Sequence, residues 1–131
     1  MKSYLKWSDE LTIIENDLPP HSVIASDPLT AYSITAFTSH YVVCTFDQHA
    51  PPNDLRLEER VQAARDILSP YVPMSRTVEL LLGHRASHVV VNDRFPRNLP
   101  LEYWSMNHDI FPAVRQKFAA HPELFELVYA R

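Results

Sequence analysis

Polar side chains suited to holding a ligand follow three short apolar runs of the sequence. Asp27 follows the first run, Asp47 and His49 follow the second, and Asn92-Asp93 follow the third. If these runs are parallel strands, their carboxyl ends meet at one edge of the sheet, where ligands bind near the reversal of strand order. Carboxylates and an imidazole at that edge suit a polar ligand or a hard cation such as Mg²⁺ or Ca²⁺. We therefore expect a ligand-binding crevice there.

Three further polar residues are expected to close over this crevice. Asn53 and Asp54 belong to the loop after the second run, and Arg60 lies near the start of the next helix. A structural role competes with this hypothesis for Asp27 and Asp93, because Asp at a strand end often caps a helix or forms an Asx-turn.

The histidines give no clear metal-binding pattern. His49 lies in a proline-bounded loop at a strand end, where binding residues concentrate, so a binding role and a structural role both stay open for it. His84 and His88 are four residues apart, which suits a metal on one helix face. The predicted helix ends between them, so we expect the two rings to point in different directions. The remaining histidines are interpreted as caps and surface groups: His21, His40, His108 and His121.

Familiar catalytic and cofactor motifs are missing from the sequence. Its single glycine, Gly83, rules out the glycine-rich loops of dinucleotide and P-loop sites, and no serine lies in a GxSxG elbow. The single cysteine, Cys44, lies within an apolar run and is interpreted as a core residue. The strand-end aspartates offer carboxylate pairs for glycoside hydrolysis, but the sequence does not set their separation. We expect no cofactor.

Length and composition are those of one globular domain. A length of 131 residues suffices for one hydrophobic core, and the sequence shows neither an internal repeat nor an interdomain linker. The net charge of −4 provides no basic field for phosphates, which argues against nucleic acid as a partner. No apolar run approaches the roughly 20 residues that span a bilayer, and no signal-peptide pattern begins the chain.

Helical and strand patterns alternate along the chain. Helices are predicted over residues 7–18, 28–37, 55–68, 76–84 and 110–120, with Asp27 or Ser26 and Ser75 as caps. Strands are predicted over residues 22–26, 41–46, 87–91 and 124–129. This order requires right-handed crossovers. We predict a small three-layer α/β domain, with a mostly parallel sheet of about four strands and helices on both faces.

The order of several motifs resembles a known protein group. The motifs are Ser26-Asp27-Pro28-Leu29-Thr30-Ala31-Tyr32-Ser33-Ile34, Tyr41-Val42-Val43, Asp47-Gln48-His49-Ala50-Pro51-Pro52-Asn53-Asp54 and Glu59-Arg60. Together they resemble the soluble extracytoplasmic C-terminal domain of polytopic membrane glycosyltransferase-like proteins, which take sugars from lipid carriers. The resemblance covers roughly residues 8–93 and is most specific over residues 27–30 and 49–54.

The resemblance implies a domain excised from a larger membrane protein and placed on the extracytoplasmic face. The catalytic carboxylates of such a protein would belong to membrane-embedded loops outside this sequence. The chain departs from the full family in having no transmembrane helix, which implies an accessory role. The implied partners are a sugar or lipid-linked sugar and the transmembrane part of the parent protein. The implied site consists of Asp27, Thr30, His49, Asn53, Asp54 and Arg60, to which the strand-end argument adds Asp93.

Three hypotheses for the function stay open. The first is a non-catalytic accessory domain that positions a sugar or lipid-linked donor. The second is a stand-alone ligand-binding or regulatory α/β domain in the cytoplasm. The third, ranked last, is a small metal-dependent hydrolase that uses the strand-end carboxylates. A series of hydrophobic spans upstream of Met1 in the reading frame would distinguish the first hypothesis from the second.

Overall fold

The computed structural model describes residues 7–44, 56–92 and 111–129. In chain order these residues form α1 (Trp7–Asp17), β1 (Val23–Ala25), α2 (Pro28–Phe37), β2 (Tyr41–Val42), α3 (Leu57–Ile67), α4 (Met74–Gly83), β3 (His88–Val89) and α5 (Phe111–Ala119). Among them, no helix is long and apolar enough to cross a lipid bilayer. The alternation of helices and strands confirms the predicted α/β class.

A small parallel sheet lies at the centre of the described structure. The strand order is β2-β1-β3, and β1 pairs in parallel with both neighbours. Ile24 of β1 lies opposite Val42 of β2 and opposite His88 of β3. Ile24 and Ala25 are fully buried, as expected for a central parallel strand covered by helices. The predicted parallel pairing is therefore confirmed for three strands.

Local sequence signals build the turn from β1 into α2. Asp27 is the N-cap residue in an extended conformation, and its side chain accepts a hydrogen bond from the Thr30 backbone N–H. Pro28 occupies the first turn, where a missing N–H costs no helical hydrogen bond. At the other end, the backbone N–H and the hydroxyl of Thr38 both donate to the Ile34 carbonyl. The predicted start of this helix is confirmed.

Successive residues of β1 pack against different helices, because side chains alternate along a strand. Ile24 contacts a cluster contributed mainly by α1 and α2, which includes Leu11, Leu18 and Ile34. Ala25 contacts a cluster from α3, α4 and the residue after β2, which includes Val43, Ala63, Ile67 and Leu81. A neighbouring cluster joins α3 to α5 through Cys44, Val61, Ala64, Leu68 and Val114. Cys44 is 3% exposed, so its interpretation as a core residue is confirmed.

The C-terminal segment differs from the prediction. Residues 124–129 form no strand, and Leu127 is 77% exposed. Apolar alternation alone is insufficient, because a strand needs a neighbouring edge to share its backbone hydrogen bonds. Phe125 instead packs its ring edge-on against Phe118 of α5, with centroids 4.9 Å apart. Within the described residues, the sheet therefore has three strands rather than four.

The start of α4 is a second difference. The N-cap residue is Pro73, so Ser75 lies inside the first turn and is not the cap. The Pro73 carbonyl accepts hydrogen bonds from the backbone N–H groups of Arg76 and Thr77. The fixed φ of proline, here −59°, suits a chain that turns into a helix, so no side-chain cap is required.

A lysine of α5 caps the carboxyl end of α3. Lys117 Nζ donates to the carbonyls of Ser69 at 2.8 Å and Ile67 at 3.0 Å, with a longer contact of 3.4 Å to the Asp66 carbonyl. The last carbonyls of a helix lack helical partners, and the helix dipole favours a cation there. Burial lowers the pKa of Lys117 to about 8, and the charge of Asp66 acts in the opposite direction. The acceptor carbonyls also favour the ammonium form.

Replacing Lys117→Met keeps the aliphatic stem but removes the donors to α3. We expect the free energy of unfolding to fall by about 1–3 kcal/mol, because partly buried carbonyls lose a charged partner. Urea unfolding followed by circular dichroism measures the change. Gln116→Met, at an exposed position of the same helix, is the matched control. Equal losses in the two variants would contradict the capping role.

Candidate ligand-binding site

The carboxyl ends of the strands meet where the chain changes direction across the sheet. From β1 the chain passes through α2 to β2 on one side, and it then passes through α3 and α4 to β3 on the other side. The boundary between β1 and β3 is therefore the switch point at which open α/β sheets bind ligands. Asp27 follows β1 and Asn92 follows β3, so both lie at this point.

Asp27 is buried at the switch point and is bonded to Thr30 through both carboxylate oxygens. Oδ1 accepts from the Thr30 backbone N–H at 2.9 Å, and Oδ2 accepts from the Thr30 hydroxyl at 2.6 Å. Asp27 is 5% exposed and Thr30 is fully buried. The capping role that competed with ligand binding is thus present. The same two bonds fix the orientation of the carboxylate.

Asn92 extends this pair across the switch point. Its Nδ2 donates to Thr30 Oγ1 at 3.2 Å, so hydrogen bonds run from Asn92 through Thr30 to Asp27. A hydroxyl can accept one bond while donating another, which sets the direction of this chain. The predicted binding residues include Asp93 but not its neighbour Asn92. The position of Asn92 directly after the apolar run of residues 89–91 is the sequence signal that identifies it.

The electrostatic state of Asp27 is set by two opposing effects. Burial is the larger effect and raises the pKa of Asp27, whereas the hydrogen bonds from Thr30 lower it by favouring the charged carboxylate. A native pKa above the unfolded value means that Asp27 favours the folded state at low pH. That contribution is lost as the pH rises through the native pKa.

The Cys44 thiol is influenced by the charges of both Asp27 and Arg60 of α3. Burial raises the pKa of Cys44 to about 12, the charge of Asp27 acts in the same direction, and the charge of Arg60 lowers it. Both charged side chains therefore lie close enough to influence the thiol after β2. Of the predicted site residues, the structure brings Asp27 and Thr30 into direct contact, and Arg60 lies within electrostatic range of the same thiol as Asp27.

The other predicted site residues lie outside the described part of the chain. These are His49, Asn53, Asp54 and Asp93, together with Asp47 of the same loop. Their convergence with Asp27 stays a prediction.

Metal binding has no support in the ranges that the structure describes. There, no three side chains of His, Cys, Asp or Glu form a group that could hold a metal ion. His84 is the C-cap residue of α4, whereas His88 lies in β3 with its Nδ1 2.8 Å from the Ser87 hydroxyl. The two rings therefore belong to different elements.

His40 is buried, so its interpretation as a cap or surface group is wrong. It is 3% exposed, and its ring contacts the Ile14 carbonyl at 2.8 Å and the Ser22 backbone N–H at 3.2 Å. A buried imidazole is tolerated when both ring nitrogens have hydrogen-bonding partners, as they do here. These partners are distant in the sequence, so no local pattern marked His40 as buried.

Comparison with protein-family models, curated protein sequences and solved structures finds no match to this chain. The functional argument therefore rests on the residues at the carboxyl edge and on their geometry.

Thr30→Val removes the hydroxyl between Asn92 and Asp27 while keeping the side-chain shape. Loss of the donor to Asp27 should raise the pKa of that carboxyl further, because the Thr30 hydroxyl lowers it. We also expect a loss of about 1–3 kcal/mol in unfolding free energy, since buried polar groups lose partners. Carboxyl ¹³C NMR titration measures the first effect. Thr35→Val, on the exposed face of α2, is the control and should change neither quantity.

Thiol labelling tests the environment of Cys44. With a pKa of about 12 against the ordinary 9.0, the thiolate fraction at pH 8 is roughly a thousandfold lower than in the unfolded chain. We expect native Cys44 to react with Ellman's reagent at least that much more slowly than the urea-unfolded protein. Cys44→Ala combined with Ser75→Cys, at an exposed position, should react rapidly. Rapid labelling of native Cys44 would contradict its burial.

Proposed function

We propose that this chain is a non-catalytic domain that binds a sugar, free or lipid-linked, at the switch point between β1 and β3. We further propose that it is the soluble extracytoplasmic part of a membrane glycosyltransferase-like protein, where it positions the sugar beside the transmembrane portion. The resemblance over roughly residues 8–93 supports the parent protein. The hydrogen-bonded chain from Asn92 through Thr30 to Asp27 is the observation that carries the binding role.

A sugar requires directional polar groups held in fixed positions. Binding sites combine a few placed polar side chains with largely preformed geometry. At this edge, the Asp27 carboxylate is held by two bonds from Thr30, and Thr30 is itself bonded to Asn92. A carboxylate has about four acceptor positions, so it can accept a sugar hydroxyl while it caps α2.

Charge favours a neutral hydroxyl over a phosphate at this position. The amino end of a helix ordinarily attracts anions through its unpaired N–H groups. In α2, the Asp27 side chain already occupies that position and bonds to the Thr30 N–H. A phosphate at that position would either displace the Asp27 carboxylate or be repelled by its negative charge. Arg60, whose charge acts on the same Cys44 thiol as that of Asp27, is the candidate for contacting the phosphate of a lipid-linked donor.

Chemistry at the edge supports binding rather than turnover. A thiol is a nucleophile in its thiolate form, and burial together with the Asp27 charge disfavours that form of Cys44. The Thr30 hydroxyl donates a hydrogen bond to the Asp27 carboxylate, which also serves as a helix cap. Both groups are thus committed to the fold.

The proposed domain has three layers and about four strands. Packing of Ile24 with α1 and α2, and of Ala25 with α3 and α4, supports helices on both faces of the sheet. A fourth strand would have to come from outside the described residues.

NMR titration of the whole chain with sugars tests the binding role. We would add D-mannose, D-glucose, N-acetyl-D-glucosamine and an octyl glycoside to the ¹⁵N-labelled protein, with inorganic phosphate as a separate titration. We expect saturable shifts at the amides of Asp27, Thr30 and Asn92 with at least one sugar. The amide of Ser39, at the opposite, amino end of the sheet, should not shift.

Matched variants show whether the edge itself binds. Asn92→Ala should weaken the binding of the active sugar by about tenfold, the value of one hydrogen bond, while Thr35→Val should leave it unchanged. If no sugar shifts the three amides, or if phosphate alone does, the proposed ligand class is wrong. If a sugar binds and Asn92→Ala binds it equally well, the proposed site is wrong.

A further inference from the structure

A buried histidine ties α1 to the amino end of the sheet. His40 Nδ1 accepts a hydrogen bond from the Ser22 backbone N–H at 3.2 Å, and Nε2 lies 2.8 Å from the Ile14 carbonyl oxygen. Ile14 belongs to α1, Ser22 leads into β1 and His40 precedes β2. One ring therefore joins three elements at the end of the sheet opposite the sugar site.

The two partners allow one protonation state of this ring. A carbonyl oxygen only accepts, so Nε2 carries a hydrogen, and a backbone N–H only donates, so Nδ1 is unprotonated. A protonated imidazole has hydrogens on both nitrogens and would direct one at the Ser22 N–H. Protonation of His40 in place is therefore incompatible with the bond from Ser22, and it leaves a buried N–H without an acceptor.

Titratable groups face His40 from the elements around it. Glu15 of α1 accepts hydrogen bonds from the Ser39 N–H and hydroxyl, which lower the pKa of Glu15, and the charges of His40 and His21 lower it further. His21 Nδ1 donates to the Ser39 carbonyl at 3.1 Å. Burial lowers the pKa of His88 in β3, and the charge of His40 adds to that effect.

These groups act in opposite directions on a charged His40. The Glu15 carboxylate favours a positive ring, but it lies at the surface where solvent screens it. His88 disfavours a second positive charge nearby. The bond from Ser22 is buried, and a lost buried hydrogen bond is not compensated by water. The bond from Ser22 therefore requires His40 Nδ1 to carry no hydrogen.

We propose that His40 is an acid-sensitive latch, in which protonation of its ring breaks the bond from Ser22 and loosens α1 from the sheet. Above the transition, α1 is held by this latch, by the Glu15 contact to Ser39 and by apolar contacts around Ile24. Because the pKa of Glu15 is lowered, its carboxylate stays charged at pH 5.5, so that contact persists. Acid therefore weakens the hydrogen bond from Ser22 to His40 and leaves the contact of Glu15 with Ser39 in place.

The direction in which pH changes the stability of the closed state follows from the linkage between proton binding and opening. A ring that takes up a proton more readily in the open or unfolded chain makes the closed state lose stability as the pH falls. The lowered pKa of His88 acts in the same direction, with its loss beginning below the ordinary value of 6.5. Opening that is coupled to the uptake of one proton raises the opening constant by up to about tenfold for each pH unit below the transition.

Amide hydrogen exchange of the whole chain at pH 7.5 and 5.5, corrected for intrinsic exchange rates, tests the latch. We expect protection in α1 to fall about tenfold at pH 5.5, while protection in α3 falls less. His40→Asn places an acceptor near the position of Nδ1 but does not titrate, so most of the pH dependence in α1 should disappear. His21→Asn, at an exposed neighbouring ring, should behave like the unmodified chain.

Two results would overturn the latch. One is unchanged protection of α1 between the two pH values in the unmodified chain, and the other is the same fall in His40→Asn. If that variant does not fold, the ring ¹⁵N shifts of His40 in the unmodified chain decide. Protonation of Nδ1 between pH 7.5 and 5.5 together with a shift of the Ser22 amide supports the latch. Protonation without that shift, or no protonation of Nδ1 over this range, refutes it.

Discussion

The short strand β1 carries backbone hydrogen bonds on both edges, and the positions of the other elements depend on it. β2 and β3 pair with it from either side. Ile24 and Ala25 supply the apolar contacts that hold different sets of helices. Its last residue is followed directly by buried Ser26 and Asp27, so the strand also sets where the carboxyl edge begins. A buried parallel strand tolerates few substitutions, because each residue takes part both in the backbone hydrogen bonds of the sheet and in the hydrophobic core.

Asp27 shows how one side chain can serve the fold and a site. As the cap of α2 it satisfies an N–H that would otherwise lie buried without a partner. Its second oxygen is used by the Thr30 hydroxyl, which connects to Asn92 on the far side of the switch point. Burial opposes its charge, and these bonds support it. The carboxylate is thereby held in one orientation, which would lower the ordering cost of the binding proposed at this edge.

Two other polar side chains join elements that are distant in the sequence. Lys117 closes the end of α3 from α5, and His40 connects α1 to the amino end of the sheet. Both satisfy backbone groups at helix or strand ends, where secondary structure leaves donors and acceptors unpaired. They also differ in hydrogen-bonding capacity, since a lysine offers donors only and a neutral imidazole both donates and accepts.

The sequence by itself determined the local features of this protein: the Asp27 cap with Pro28, the amphipathic helices, the burial of Cys44 and the parallel α/β class. The first three depend on residues close together in the chain, where capping, periodicity and apolar runs are readable. The α/β class follows from the order in which these elements alternate. Only the tertiary structure decided that Asn92 bonds Thr30, that His40 is buried between Ile14 and Ser22, and that Lys117 caps α3. The sequence separation is 62 positions for the Asn92–Thr30 bond, 26 for the contact of His40 with Ile14 and 50 for that of Lys117 with Ile67. The absence of a strand over residues 124–129 has the same reason, because a strand exists only where another edge is available to share its hydrogen bonds.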